Sequence, residues 1–171
     1  MKNVIYSAEI IDLAPSTVDG EDARIVTDET IIDGYVEVRL ESGIQFWAFA
    51  EEDWRVSRWS LSLTGKTIPL RFVFLNLKTE LSDERIKTII PIDPNIIACD
   101  HYTIVGEIIN KEPSPKLPDK YERFQVDCGF ILNELSADKG VYNIGDYIRS
   151  EGRLDAYLVE EEKLAKRRDE L

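Results

Sequence analysis

The sequence predicts an all-β fold built from two similar halves, and three observations carry that expectation. Period-two alternation of apolar and polar residues recurs along the chain, glycine-containing turns separate the alternating runs, and a short N-terminal motif returns later in the sequence. In residues 35–40, Val36, Val38 and Leu40 alternate with Glu37 and Arg39, as a strand with one buried face requires. Glu41-Ser42-Gly43 then reads as a turn into a strand over 44–50. Glu51-Glu52-Asp53 places acids where the positive end of a helix dipole favours them, so a short helix is expected over 51–58. Next, Ile68, Leu70, Phe72 and Phe74 share one face while Val73 and Leu75 occupy the other, which predicts a central strand covered on both sides near its end.

Residues 77–100 admit two readings. Ser82-Asp83-Glu84 resembles a helix start, yet Ile86, Thr88, Ile90 and Ile92 alternate, and Pro91 and Pro94 oppose a helix by removing amide donors. A strand is the preferred reading, with 93–101 as a linker. The proline-rich stretch 113–120 predicts a surface loop. Phe124, Val126 and Cys128 form another half-buried strand. The clearest alternation follows: Ile148, Ser150, Gly152, Leu154, Ala156 and Leu158 lie on one side and Arg149, Glu151, Arg153, Asp155 and Tyr157 on the other. Residues 159–168 read as a closing helix, with Glu160, Glu161 and Glu162 early and Lys163, Lys166, Arg167 and Arg168 late, the charge order the dipole favours.

The motif Glu9-Ile10-Ile11-x-x-x-Pro15-Ser16 recurs as Glu107-Ile108-Ile109-x-x-x-Pro113-Ser114. After each copy come an alternating strand, a glycine (Gly43; Gly129) and a Gly-x-x-Ile opening a further strand (Gly65-Lys66-Thr67-Ile68; Gly145-Asp146-Tyr147-Ile148). Anchors recurring in the same order point to internal duplication. The run 144–154, Ile-Gly-Asp-Tyr-Ile-Arg-Ser-Glu-Gly-Arg-Leu, preceded by Val105-Gly106-Glu107-Ile108, resembles the Gly-Asp-x-Val-x-x-x-Gly-x-Val strand of OB-fold barrels, with Gly152 in the place where such a strand bends. The resemblance is at the level of fold. It covers 102–158, and 3–76 more loosely, where Lys66 stands in place of the Asp. It implies two OB-like small β-barrels with short helices: an N-terminal barrel over 1–92, a linker over 93–101, and a C-terminal barrel with a short helix over 102–171.

Charge narrows the function. The 171-residue chain has a net charge of −12. Residues 1–53 hold 13 acids against Lys2, Arg24 and Arg39, whereas 54–78 hold Arg55, Arg58, Lys66, Arg71 and Lys78 with no acid. A polyanion meets repulsion over most of such a surface, since nucleic-acid binders carry basic faces that displace counterions. The first expectation is therefore a non-catalytic binding module, a protein-interaction or assembly factor whose acidic N-terminal surface favours a basic partner. The alternative is single-stranded nucleic-acid binding by a basic-aromatic patch. Trp47, Trp54 and Trp59 would stack bases in it, and Arg55, Arg58, Lys66 and Arg71 would track phosphates; core packing of the tryptophans is the competing reading. A third reading, a small metal-dependent enzyme, would have to use the lone His101 with Asp100, Cys99 and Cys128, which lack the short paired spacings of zinc sites. Phosphate-cradle, dinucleotide and hydrolase motifs do not occur, the paired carboxylates read as solvated surface, and no catalytic residue, cofactor or metal is expected. Nor does any run approach the ~18 apolar residues of a membrane helix. Acids follow Met1 too soon for a signal peptide, so the C-terminal Arg-Asp-Glu-Leu is read as coincidence and a cytoplasmic chain is expected.

Overall fold

Alternating sequence becomes strand almost throughout. The computed structural model describes residues 1–15, 25–26, 30–31, 34–50 and 59–159. Its strands are β1 (Tyr6–Pro15), β2 (Ile25–Val26), β3 (Thr30–Ile31), β4 (Gly34–Leu40), β5 (Gln45–Ala50), β6 (Thr67–Leu81), β7 (Thr88–Pro91), β8 (His101–Pro113), β9 (Tyr121–Asp127), β10 (Ile131–Asp138) and β11 (Tyr147–Leu158). A 3-10 turn at Leu61–Leu63 is capped by Ser60. The helices expected over 51–58 and 159–168 lie outside the described residues, Val159 excepted. Nine strands form one sheet in the order β1-β4-β5-β11-β6-β10-β9-β8-β7. The added pairings β1–β6 and β8–β11 make its hydrogen bonding ring-like, and β2 and β3 pair separately.

The chain divides into two compact units, residues 5–71 with 155–171 and residues 1–4 with 72–154. In the first, β1 pairs antiparallel with β4, from Ala8↔Leu40 to Pro15↔Gly34, and the register slips at Ile11 to make a bulge. β4 returns as β5 through a turn in which Gly43, at φ 90°, donates to Leu40 O at 2.9 Å. The last residues of β11 run parallel to β5, Asp155 opposite Phe49. The start of β6 is antiparallel to β1, from Glu9↔Thr67 to Tyr6↔Leu70. Burial alternates along β4 as the sequence requires, and Ile10, Val36, Val38, Phe46, Trp59 and Leu70 form the core.

In the second unit β8, β9 and β10 form an antiparallel meander, with a bulge at Ile109 on β8. The later part of β6 lies parallel to β10 through Asn133↔Val73, and β11 is antiparallel to β8 from Tyr147↔Glu107 to Arg153↔His101. Phe72, Phe74, Ile104, Ile108, Phe124, Leu132, Leu135 and Ile148 are fully buried, each worth roughly 1.5–3 kcal/mol of burial. Phe72 meets Phe130 edge-on at 5.7 Å, and Phe124 meets Tyr142 at 6.0 Å. Asn133, also fully buried, is satisfied on every side. Its amide donates to Phe72 O at 2.9 Å and Val4 O at 3.3 Å, and its carbonyl accepts from Val4 N at 3.1 Å and Gln125 Nε2 at 3.0 Å.

Three features differ from the sequence reading. β6 is covered on both faces in its middle, 70–74, and not near its end, where Leu75, Leu77 and Leu81 are exposed. Gly152 answers to crowding: its φ lies outside the left-handed region, but an added Cβ would lie 2.9 Å from Phe74 Cε1 and closer still to Leu75 O. β10 escaped the reading because one extra residue interrupts its alternation, Asn133 and Glu134 standing against Gln125 alone. Its register shifts between Leu132 and Leu135, with Glu134 at φ 64°.

Candidate interaction surface

In the unit formed by 1–4 and 72–154, β7 pairs, among the described strands, with β8 alone and ends the sheet. Its register runs from Thr88↔Val105 to Pro91↔Tyr102. Cross-strand partners share a face, so Ile89, half-buried opposite the fully buried Ile104, lies on the inner face, and Pro91, opposite Tyr102, shares that face but is exposed at the strand's end. Ile90, opposite Thr103, faces outward and is 55% exposed. Ile86 and Ile92 extend that outer row, and the turn after β7 adds Ile96 and Ile97, the latter 87% exposed. Five large exposed apolar side chains within 86–97 form the densest such stretch among the described residues, and apolar surface gathered in this way marks interaction sites.

The charges beside β7 are largely spoken for. Lys87 Nζ lies 2.7 Å from Asp127 Oδ2 and 3.7 Å from Glu107 Oε2. The hydrogen bond to Asp127 holds the ammonium pKa above its ordinary value, against the opposing effect of desolvation. Partial burial disfavours ionised Asp127, but Lys87 and the Gly129 N–H outweigh it and set the carboxyl below the usual range. Arg85 lies over the Tyr147 ring at 5.5 Å. Asp83 and Glu84 before β7 are exposed, and Asp93 after it accepts from Asn95 N at 2.9 Å.

The residues expected to form a basic-aromatic patch belong to the other unit. Trp59 is fully buried and Arg71 is 8% exposed, its guanidinium 4.1 Å from the Tyr157 ring centroid. Trp47 is half-buried on β5 opposite Glu37, and Lys66 is exposed in the turn opening β6. Trp54, Arg55 and Arg58 lie outside the described residues. Within the described set, Lys66 is thus the fully open member, while Trp59 presents no face to a base.

His101 Nδ1 lies 2.8 Å from Asp100 Oδ1. Cys99 and Cys128 are free and buried, donating to His101 O and Phe130 O. Burial pushes the Cys128 thiol up to about 12. Among the described residues, no cluster of three His, Cys, Asp or Glu is placed to hold a metal ion, and no helix is long and apolar enough to cross a membrane. Compared with protein-family models, curated proteins and solved structures, the chain matches none.

Proposed function

We propose that the protein is a non-catalytic binding module, built from two OB-like rings of a duplicated chain, that engages a protein partner of opposite charge. The duplication is supported by equivalent hydrogen bonds at equivalent places. Gly65 N donates to Ile10 O at 2.7 Å and Gly145 N to Ile108 O at 2.8 Å; Ile10 N donates to Lys66 O and Ile108 N to Asp146 O, both at 2.9 Å. The bulges at Ile11 and Ile109 fall on the same residue of the repeated Glu-Ile-Ile motif. Each ring takes four strands from one sequence half: β1, β4, β5 and β6 from 1–92, and β8 to β11, save His101, from 102–171. The fifth comes from the other half, with the end of β11 beside β5 and the later part of β6 beside β10, both parallel. Five-stranded rings of this kind are the OB plan.

The observation that carries the functional reading is the exposed isoleucine row at the open β7 edge. Apolar contacts there would supply affinity. A net charge of −12 would favour basic partners and disfavour nucleic acid. An array of extended apolar peptides graded from negative to positive net charge, run beside single-stranded oligonucleotides, tests the reading. Retention that rises with positive charge and falls with salt is the expected result. Preferential capture of acidic peptides would refute it, and capture of oligonucleotides with quenching of tryptophan fluorescence would refute it in favour of the basic-aromatic alternative.

A further inference from the structure

We infer that β7 is a docking rail, on which an extended segment of a basic partner adds as a further strand alongside its outer edge. This rests on the binding-module reading and specifies the partner's conformation and its place of contact. The argument starts from backbone parity. Ile92 N donates to His101 O at 3.0 Å. In an antiparallel ladder hydrogen-bonded and non-hydrogen-bonded pairs alternate, so Ile90 also turns its amide and carbonyl toward β8 while Ile89 and Pro91 turn theirs away. Pro91 has no N–H, so within β7 the outward edge offers the N–H and C=O of Ile89 and the C=O of Pro91. Those groups make a short ladder for an incoming strand, a known mode of peptide recognition.

Side chains then select the occupant. A strand added at this edge lays alternate residues beside Ile90 and Ile92 on the outer face, where β-branched apolar side chains would cover the isoleucine row. The flanks select for charge. Lys87 is neutralised by Asp127 and Glu107, and Asp83, Glu84, Asp93 and Asp100 outnumber Arg85 and Lys87 in 82–100. A second copy of the chain would bring another −12 against the same edge, which argues for a basic partner over self-association. The occupant is therefore an extended, β-branched segment flanked by lysine or arginine.

The test uses the full-length protein and a labelled peptide, Lys-Lys-Val-Thr-Ile-Thr-Val-Lys-Lys, with two variants of it. One carries backbone N-methyl groups on the edge that would face β7, and the other has every lysine replaced by glutamate. Fluorescence anisotropy is expected to show saturable binding of the parent peptide, weakened about tenfold by N-methylation and at least as much by glutamate. The double variant I90T/I92T keeps β-branched residues at exposed positions and is expected to lose binding to a similar degree. L117T, on an exposed loop residue, is expected to retain it. Amide exchange at Ile89 slows on binding. Parent binding that is indifferent to N-methylation and to I90T/I92T would overturn strand addition at β7 while leaving the binding-module reading intact. Equal binding of the glutamate peptide, or no binding of any peptide, would overturn both. Sedimentation showing a dimer that I90T/I92T dissociates would overturn the choice of occupant.

Discussion

Replacing Gly152 by alanine sets two effects of known size against each other. Glycine in a strand is entropically costly, so alanine at an unhindered site would stabilise by about 0.4–1 kcal/mol through the unfolded chain. At Gly152 the new methyl carbon would stand 2.9 Å from Phe74 Cε1, 3.0 Å from Asn76 Cα and nearer still to Leu75 O, all on β6. Two of those neighbours are backbone atoms of a strand that lies between β11 and β10 in the sheet, so relief requires β6 to shift and the fully buried Phe74 to repack. Overpacking of this kind costs about 1–3 kcal/mol. The steric effect wins, and G152A is expected to be less stable by roughly 1–2 kcal/mol, read as a lowered urea midpoint at unchanged m-value. G65A and G145A are the matched controls. Both glycines have positive φ (84° and 94°) and open space around a Cβ, so each substitution is expected to cost about 1–2 kcal/mol from backbone strain alone, equally in the two positions. A G152A protein as stable as the parent would refute the crowding at β6, and the pairing of β6 with β11 would have to be redrawn.

Three other outcomes follow from the second unit. N133A removes the partner of Val4 N, Phe72 O and Gln125 Nε2 inside the core and is expected to destabilise by roughly 2–4 kcal/mol in denaturant titration, whereas a loss under about 0.5 kcal/mol would mean that water reaches these groups. D127N tests the ion pair through pH. Because the carboxyl titrates lower in the folded protein than in the unfolded chain, its contribution is present above the ordinary carboxylate range and is lost as pH falls through its folded value. The stability gap between parent and D127N is therefore expected at neutral pH and should close in strong acid; a gap independent of pH would contradict the pairing with Lys87. Finally, in a C99S background the Cys128 thiol, held near 12 by burial, is expected to react with alkylating reagents only as fast as the protein unfolds, and rapid labelling in native buffer would be the contrary result.

Much of the strand content was legible because period two survives wherever one face of a strand is buried. β4 buries alternate residues throughout, and β9 and β11 do so except at Gln125 and Asp155, polar residues that are buried as well. The repeated Glu-Ile-Ile motif was legible as well, but its meaning was not, since two adjacent isoleucines look like broken alternation until the register slips at Ile11 and Ile109 show a bulge in each strand. β10 illustrates the converse. Its bulge separates Leu132 from Leu135 and carries Asn133 inward, so a polar residue marks the core where the pattern expects a hydrophobic one. Trp59 and Arg71 could not be sorted by composition. A tryptophan near arginines has the same sequence signature whether it stacks a ligand or fills a core, and only packing places Trp59 inside and Arg71 against Tyr157.

The β7 segment was the least legible part of the candidate surface, for a reason that bears on its role. Thr88-Ile89-Ile90-Pro91-Ile92 has apolar side chains on both parities, and a slip of one residue exchanges the faces of a strand. Alternation of Ile86, Thr88, Ile90 and Ile92 marks one face of a strand, and the register with β8 sets Ile89 beside buried Ile104 and leaves that row on the outer face. A sheet edge bearing exposed isoleucines would ordinarily invite open-ended association. Here Pro91 removes one outward donor, the chain turns away after Ile92, and Lys87 stands at the other end beside Asp127 and Glu107. What is left is an edge with Ile89 as its one outward N–H inside β7. That is too short to template a growing sheet but suited to a short segment whose apolar side chains cover Ile90 and Ile92. The same devices that limit aggregation thus also set the length of chain the edge can recognise.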